Sequence, residues 1–281
     1  MREIHVTTIT EAVAGLAIEA NCLLPGDLYA GLCSRCAAEP SPVGRDMLAQ
    51  IIKNADLAAE AMSPICQDTG FAVVFADVGQ DVHITGGLLE DAVNAGVARG
   101  YTEGWLRKSM VAEPLMERRN TGDNTPAMLH VRLVEGDRLH LTLAPKGAGS
   151  ENKSGLAMLT PADGIEGVKR TVLSIVDAAG SSPCPPMTIG VGLGGTMDMA
   201  AVLAKRASAR AFDSHNGDAR YAALERELLD AVNKLGLGPQ GLGGETTAMA
   251  VHIEFAPTHI ACLPVAVNIN CHAARHAHVV L

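Results

Sequence analysis

Three of the seven cysteines lie where a thiol can do chemistry. Cys66 falls in Ser63-Pro-Ile-Cys-Gln-Asp-Thr-Gly70, Cys184 in Ser181-Ser-Pro-Cys-Pro-Pro186, and Cys271 in Asn268-Ile-Asn-Cys-His-Ala-Ala-Arg-His276. Pro, Gly and Asn favour a loop around each, and polar neighbours crowd each thiol, which makes them poor core fillers. Thiols so far apart in sequence suit an inorganic centre assembled by tertiary folding. The frequency of cysteine in cores keeps the alternative of three inert thiols open. Cys33-Ser-Arg-Cys36 is the one close pair. No second CxxC or HxxxH follows it at zinc-finger distance, so it reads as two helix-borne thiols, with a zinc module as the alternative. Cys22 ends the apolar run AVAGLAIEANCLL and reads as a small core residue. An odd number of cysteines without an export signal favours a reducing compartment, the cytoplasm, over a disulfide framework.

Two glycine strings, Gly190-Val-Gly-Leu-Gly-Gly195 and Gly236-Leu-Gly-Pro-Gln-Gly241, match GxGxxG by letter. A dinucleotide fold needs that string between a first strand and its helix, with an acid about 20 residues on. Asp213, beyond the first copy, follows a long helical pattern with no second apolar strand ahead of it, and the second copy carries Pro239. Nicotinamide dinucleotide binding is therefore set aside. Close approach of glycine backbone to an anion or an inorganic centre stays open. Lys146, in Ala144-Pro-Lys-Gly-Ala-Gly-Ser150, precedes its glycines, the reverse of a P-loop. It suits a carboxylate or phosphate, or a plain tight turn.

These residues need a scaffold, and the composition supplies one. The 281 residues are 48% apolar and 19% charged, inside the globular range. Lys plus Arg number 22 against 31 Asp plus Glu, a net charge of −9, and aromatics are 3%. No basic stripe or base-stacking platform is available, which excludes nucleic-acid binding. No run of about 20 apolar residues is available to span a bilayer, and MREIHVTTITEAVAG lacks the apolar core of a signal peptide. Periodicity predicts helices over residues 9–24, 43–62, 87–99, 164–179, 198–212 and 218–235. Strands are predicted over 71–78, 128–134, 138–144, 187–191, 249–255 and 263–269, with a hairpin turn at Glu135-Gly136-Asp137. Interleaved helices and strands mean the α/β class, mixed sheets covered by helices. With no repeat and no linker, a single large domain over 1–281 is expected.

Six blocks occur in order: ICQDTG (65–70), NTGDN (120–124), PKGAGSEN (145–152), SPCPPMTIGVGLGGT (182–196), GLGPQGLGGETTAMAVHIE (236–254) and PTHIACLPVAVNINCHAARH (257–276). With them the chain resembles, over nearly its whole length, the α subunit of a two-subunit class I fumarate hydratase. That is the iron–sulfur hydro-lyase family which also contains L-tartrate dehydratase α subunits. The resemblance implies an oxygen-sensitive [4Fe–4S] cluster on Cys66, Cys184 and Cys271, with one iron left open as a Lewis acid. It implies substrate contacts from Gln67, Arg107 and the Ala148-Gly149 backbone, a proton-transfer role for Asp68, and an active-site role for His259. The family often has three consecutive glycines where this chain has Gly147-Ala-Gly149, and Met197-Asp198 also departs from its pattern. Fused relatives continue into a second domain where this chain ends, so the resemblance implies a separate β subunit and an α2β2 assembly. The expected reaction is trans hydration of fumarate to L-malate, a step of the tricarboxylic acid cycle, with L-tartrate dehydration to oxaloacetate as runner-up. The other class of expectation is a redox or structural cluster protein without turnover.

Overall fold

The computed structural model describes all 281 residues. The chain first passes through β1 (Arg2–His5), α1 (Val6–Cys22), α2 (Gly26–Ala38), α3 (Pro42–Ala61), β2 (Phe71–Gly79), β3 (Val82–Thr85), α4 (Leu89–Glu103), β4 (Met128–Val134) and β5 (Leu139–Lys146). It continues through α5 (Ala148–Glu151), β6 (Gly155–Leu159), α6 (Gly164–Ala179), β7 (Met187–Gly194), α7 (Met197–Ala207), α8 (Ala219–Asn233), β8 (Ala248–Ala256), β9 (Leu263–Asn270) and β10 (Ala277–Val280). Helices and mixed sheets make it an α/β protein, as the patterning predicts. Two units interleave along the sequence. The first comprises Met1–Pro25, Ala55–Gly147 and Arg275–Leu281; the second comprises Gly26–Asn54 and Ala148–Ala274. One crossing falls inside α3 and the others in short joins, so no shift of composition marks them.

In the first unit a four-stranded sheet runs β10-β5-β2-β4, and β1 pairs with β3 in a separate parallel ribbon. β2 is apolar at nearly every position and needs partners on both sides. It finds β4 in parallel and β5 antiparallel. The expected β4–β5 hairpin is therefore wrong: both strands exist at the predicted places, but β2 lies between them. The Gly136 turn serves β2 instead, its carbonyl accepting from Asp81 N at 2.9 Å. Ile9, Val13, Leu16 and Ala17 of α1 and Val93, Val97 and Tyr101 of α4 share one core with Val74, Leu141 and Leu143. By length and composition, Val6–Ala38 would be apolar enough to cross a membrane, contrary to the sequence reading. Residues 23–25 nevertheless divide it into α1 and α2, and the apolar stripe of α1 is committed to this core.

In the second unit the sheet runs β6-β9-β7-β8, with β7 parallel to β8 and antiparallel to β9. Successive residues of a strand face opposite sides. Ile189 and Val191 join the core formed with Val172 of α6 and Leu228 of α8. Gly190 and Gly192 face the other way, onto α7. A Cβ on either would collide with the carbonyl of Ala204 or Ala200. These two glycines of the GxGxxG string thus serve helix–sheet contact, and the reading of them as a backbone cradle for an anion does not hold.

His252 of β8 is 2% exposed. Burial, helped by the Arg210 charge, pushes its pKa down to about 4. The unfolded chain's histidine takes up a proton near pH 6.5, whereas the folded one resists until about pH 4. Its contribution is therefore fully present above about pH 6.5 and is lost as pH falls toward 4, by roughly 3 kcal/mol. Urea unfolding of the wild type and His252→Gln across this window checks it. The variant is expected to lose most of the acid slope; parallel curves would contradict the assignment.

Candidate active-site residues

The first unit builds one turn of unusual density. Past Pro64, residues 65–70 leave α3 and lead into β2, and Ile65 N donates to Asn21 O at 2.9 Å. Asp68 N points at Cys66 Sγ at 3.4 Å, and Gly70 N donates to Asp68 Oδ1 at 3.0 Å. A thiol two residues before a carboxylate is thereby held with it in a single loop. Gly70 has φ +66°, and a Cβ there would collide with the Lys146 carbonyl, so only glycine allows β5 this close. A Cβ on Gly147 would stand 3.3 Å from Asp68 Oδ2. Tyr101 Oη donates to the carbonyls of Thr69 at 2.9 Å and Gly70 at 3.2 Å. Burial holds the Tyr101 pKa at about 12 against the opposing Arg275 charge, so it stays a donor.

The same turn positions Arg107. Thr69 Oγ1 donates to the Arg107 carbonyl at 2.9 Å, while the Arg107 side chain is exposed. The NTGDN block completes this frame. Buried Asn124, at φ +67°, accepts from Ser109 N at 2.7 Å and Met110 N at 3.2 Å and donates to Gly70 O at 3.1 Å. Asn120 Nδ2 donates to Lys108 O at 3.0 Å. Asn at the end of a turn tolerates the left-handed region and offers both donor and acceptor, which is the signal that could have marked it.

In the second unit the sequence-distant Cys184 and Cys271 are drawn to one place. His272 N donates to Cys184 O at 3.1 Å, so the residue after Cys271 is tied to Cys184 itself. Gln240, from the second glycine string, fastens the same knot: its N and Nε2 donate to Pro185 O at 2.8 and 2.9 Å, and Nε2 meets His272 Nδ1 at 3.2 Å. Cys184 is exposed, at φ +55°, and Cys271 is half-buried. Ala148 and Gly149, also exposed, open α5, and a Cβ on Gly149 would stand 3.8 Å from Ser182 O. His259 is exposed on the turn after β8, its Nδ1 accepting from Ala261 N at 3.1 Å. Gly195 N donates to Pro257 O at 3.1 Å and fixes that turn.

Of the predicted site residues, then, Cys66, Gln67, Asp68 and Arg107 belong to one frame of the first unit. Cys184, Cys271, Ala148, Gly149 and His259 belong to the second. Neither unit gathers three His, Cys, Asp or Glu side chains as ligands of a single metal ion. For Cys33 and Cys36 on α2 this leaves the zinc module without its remaining ligands. Cys66, Cys184 and Cys271 are soft donors on loops, two of them tied by backbone hydrogen bonds, and this donor chemistry fits an iron–sulfur core rather than magnesium or calcium.

Residues 10–280 match the family model described as fumarate hydratase (Fumerase). A Methanocaldococcus jannaschii chain provisionally named L(+)-tartrate dehydratase subunit alpha is 40% identical over 274 residues, 96% of each chain. The L(+)-tartrate dehydratase subunit alpha of Escherichia coli K12 is 30% identical over 272 residues, covering 96% of this chain and 89% of its own length.

Proposed function

Because this chain belongs to the fumarate hydratase family of hydro-lyases, we propose that it is the α subunit of a [4Fe–4S] enzyme that reversibly hydrates fumarate to L-malate. It works in the cytoplasm with a separate β subunit in an α2β2 assembly. The description of the family supports the substrate, and the subunit names of the relatives support the partner. One local observation carries the reading. Cys66 and Asp68 share a turn in which backbone N–H groups fix both the thiol and the carboxylate.

In this reading Cys66, Cys184 and Cys271 hold the cluster, which when bound supplies a Lewis-acidic iron position for substrate oxygen. Arg107 takes one substrate carboxylate in charge-assisted hydrogen bonds, a contact worth roughly 1.5–3 kcal/mol. The Gln67 amide and the Ala148-Gly149 backbone orient the same molecule. The Asp68 carboxylate, held through Oδ1 by Gly70 N, exchanges the carbon-bound proton. His259 is the second acid/base group. The net charge of −9 repels a dicarboxylate only at long range, because salt screens charges beyond about 8 Å. Local cations therefore decide binding.

L-tartrate dehydration to oxaloacetate is the second reading, favoured by the names of the relatives. The chain, reconstituted anaerobically and copurified with its β subunit, is expected to turn over fumarate and malate with kcat/KM at least tenfold above tartrate, about 1.4 kcal/mol. Preference for tartrate replaces the first reading with the second. A fully loaded cluster with neither activity points to a redox or structural protein.

A further inference from the structure

Arg275 lies four residues past Cys271, in the same 257–276 block, and takes no part in the chemistry described above. It is 5% exposed, within the first unit. Its Nη2 donates to the Asp68 carbonyl at 2.5 Å, yet Nε and Nη1 are buried with no hydrogen-bond partner, and no carboxylate pairs with the guanidinium. The groups that feel its charge, the Cys22 thiol and the Tyr101 hydroxyl, are both pushed toward their neutral forms by burial. A guanidinium cannot shed its proton inside a protein, and burying it without a counter-charge is costly. A cation left so short of partners calls for an anion.

We propose that Arg275 is a positioning residue whose counter-charge is the thiolate-bound cluster taken up at Cys66. This rests on the reading of Cys66 as a cluster ligand. The guanidinium grips the carbonyl of Asp68, two residues from Cys66, so it fixes the loop and raises the local potential together. A cluster on thiolates is a net anion, and neighbouring charge and N–H donors set its potential. The dicarboxylate substrate is the other source of negative charge, and the experiment separates the two.

The full chain is compared as wild type, Arg275→Met and Arg275→Lys, each stripped and anaerobically reconstituted, with and without succinate. Arg275→Met is expected to lower the unfolding midpoint of the loaded chain by several degrees more than that of the stripped chain, and Arg275→Lys to restore most of the difference. Arg275→Met should also make the cluster harder to reduce by at least tenfold in equilibrium constant, about 59 mV for one electron. Equal destabilisation of stripped and loaded chains, with an unchanged potential, overturns the proposal. So does a difference that appears only with succinate, which would assign the charge to the dicarboxylate. If Arg275→Met does not fold, Arg275→Gln, which also removes the charge, decides: faster loss of iron to a chelator than from wild type upholds the proposal, and wild-type retention overturns it. A wild-type chain that takes up no iron overturns the cluster reading itself and is seen before any variant is made.

Discussion

Replacing any one of Cys66, Cys184 or Cys271 by Ser is expected to deplete iron and acid-labile sulfide and to lower turnover at least about 100-fold, or 2.7 kcal/mol. Thiolate is the ligand that iron–sulfur chemistry requires; a serine hydroxyl stays protonated at neutral pH and is a hard, weak donor. The substitutions are nearly isosteric, so the backbone frame should survive. The His272 N–H to Cys184 O bond and the Gly70 N–H to Asp68 Oδ1 bond involve no cysteine sulfur; of the contacts described, only that of Asp68 N with Cys66 Sγ does. Cys33→Ser and Cys36→Ser, on α2, should keep full metal content. Cys22 is wholly buried, and its Ser variant should lose stability by about 1–3 kcal/mol while retaining iron. Iron and sulfide analysis of the six variants, beside circular dichroism, separates ligand loss from unfolding. Full metal content in all of the first three would refute the ligand set.

Asp68→Asn is expected to lower kcat by about 10²- to 10⁴-fold, the range for removing a general acid/base group. Asparagine keeps an Oδ1 to accept from Gly70 N and leaves the Asp68 carbonyl available to Arg275, so the turn should persist. Substrate binding rests on Arg107, whose frame runs through Thr69 and Asn124, so KM should move little. Steady-state kinetics on enzyme with matched iron content tests this. A kcat within about threefold of wild type would remove Asp68 from the chemistry. Loss of the cluster instead would mean that Asp68 acts by supporting Cys66.

Where one apolar face sets the pattern, sequence and structure agree closely. α6 spans the predicted 164–179, and β4 spans 128–134. Pairing was not legible in the same way. β4 and β5 look like a hairpin because they are neighbours in sequence, but β2 has the stronger demand for partners and takes both. α2 begins at Gly26, two residues after the predicted 9–24 helix ends, so its start was hidden by its own predecessor. β1, β3 and β10 have four residues each, too few for alternation to register. In the candidate site the chemistry-bearing types, Cys66, Asp68 and Arg107, were visible through motif and resemblance. The groups that hold them were not. Asn124, Gln240 and Arg275 act on backbone carbonyls and amides contributed from far along the chain. No local pattern announces that a polar side chain will turn inward.

The most direct measurement is Mössbauer spectroscopy of the chain reconstituted with ⁵⁷Fe under strict anaerobiosis, before and after L-malate is added. The expected spectrum is that of a four-iron cluster in which about a quarter of the signal moves on adding malate, because one iron lacks a protein ligand. A chain that binds no iron, or a cluster whose spectrum is indifferent to malate and fumarate, would contradict the assignment of a hydro-lyase centre to Cys66, Cys184 and Cys271.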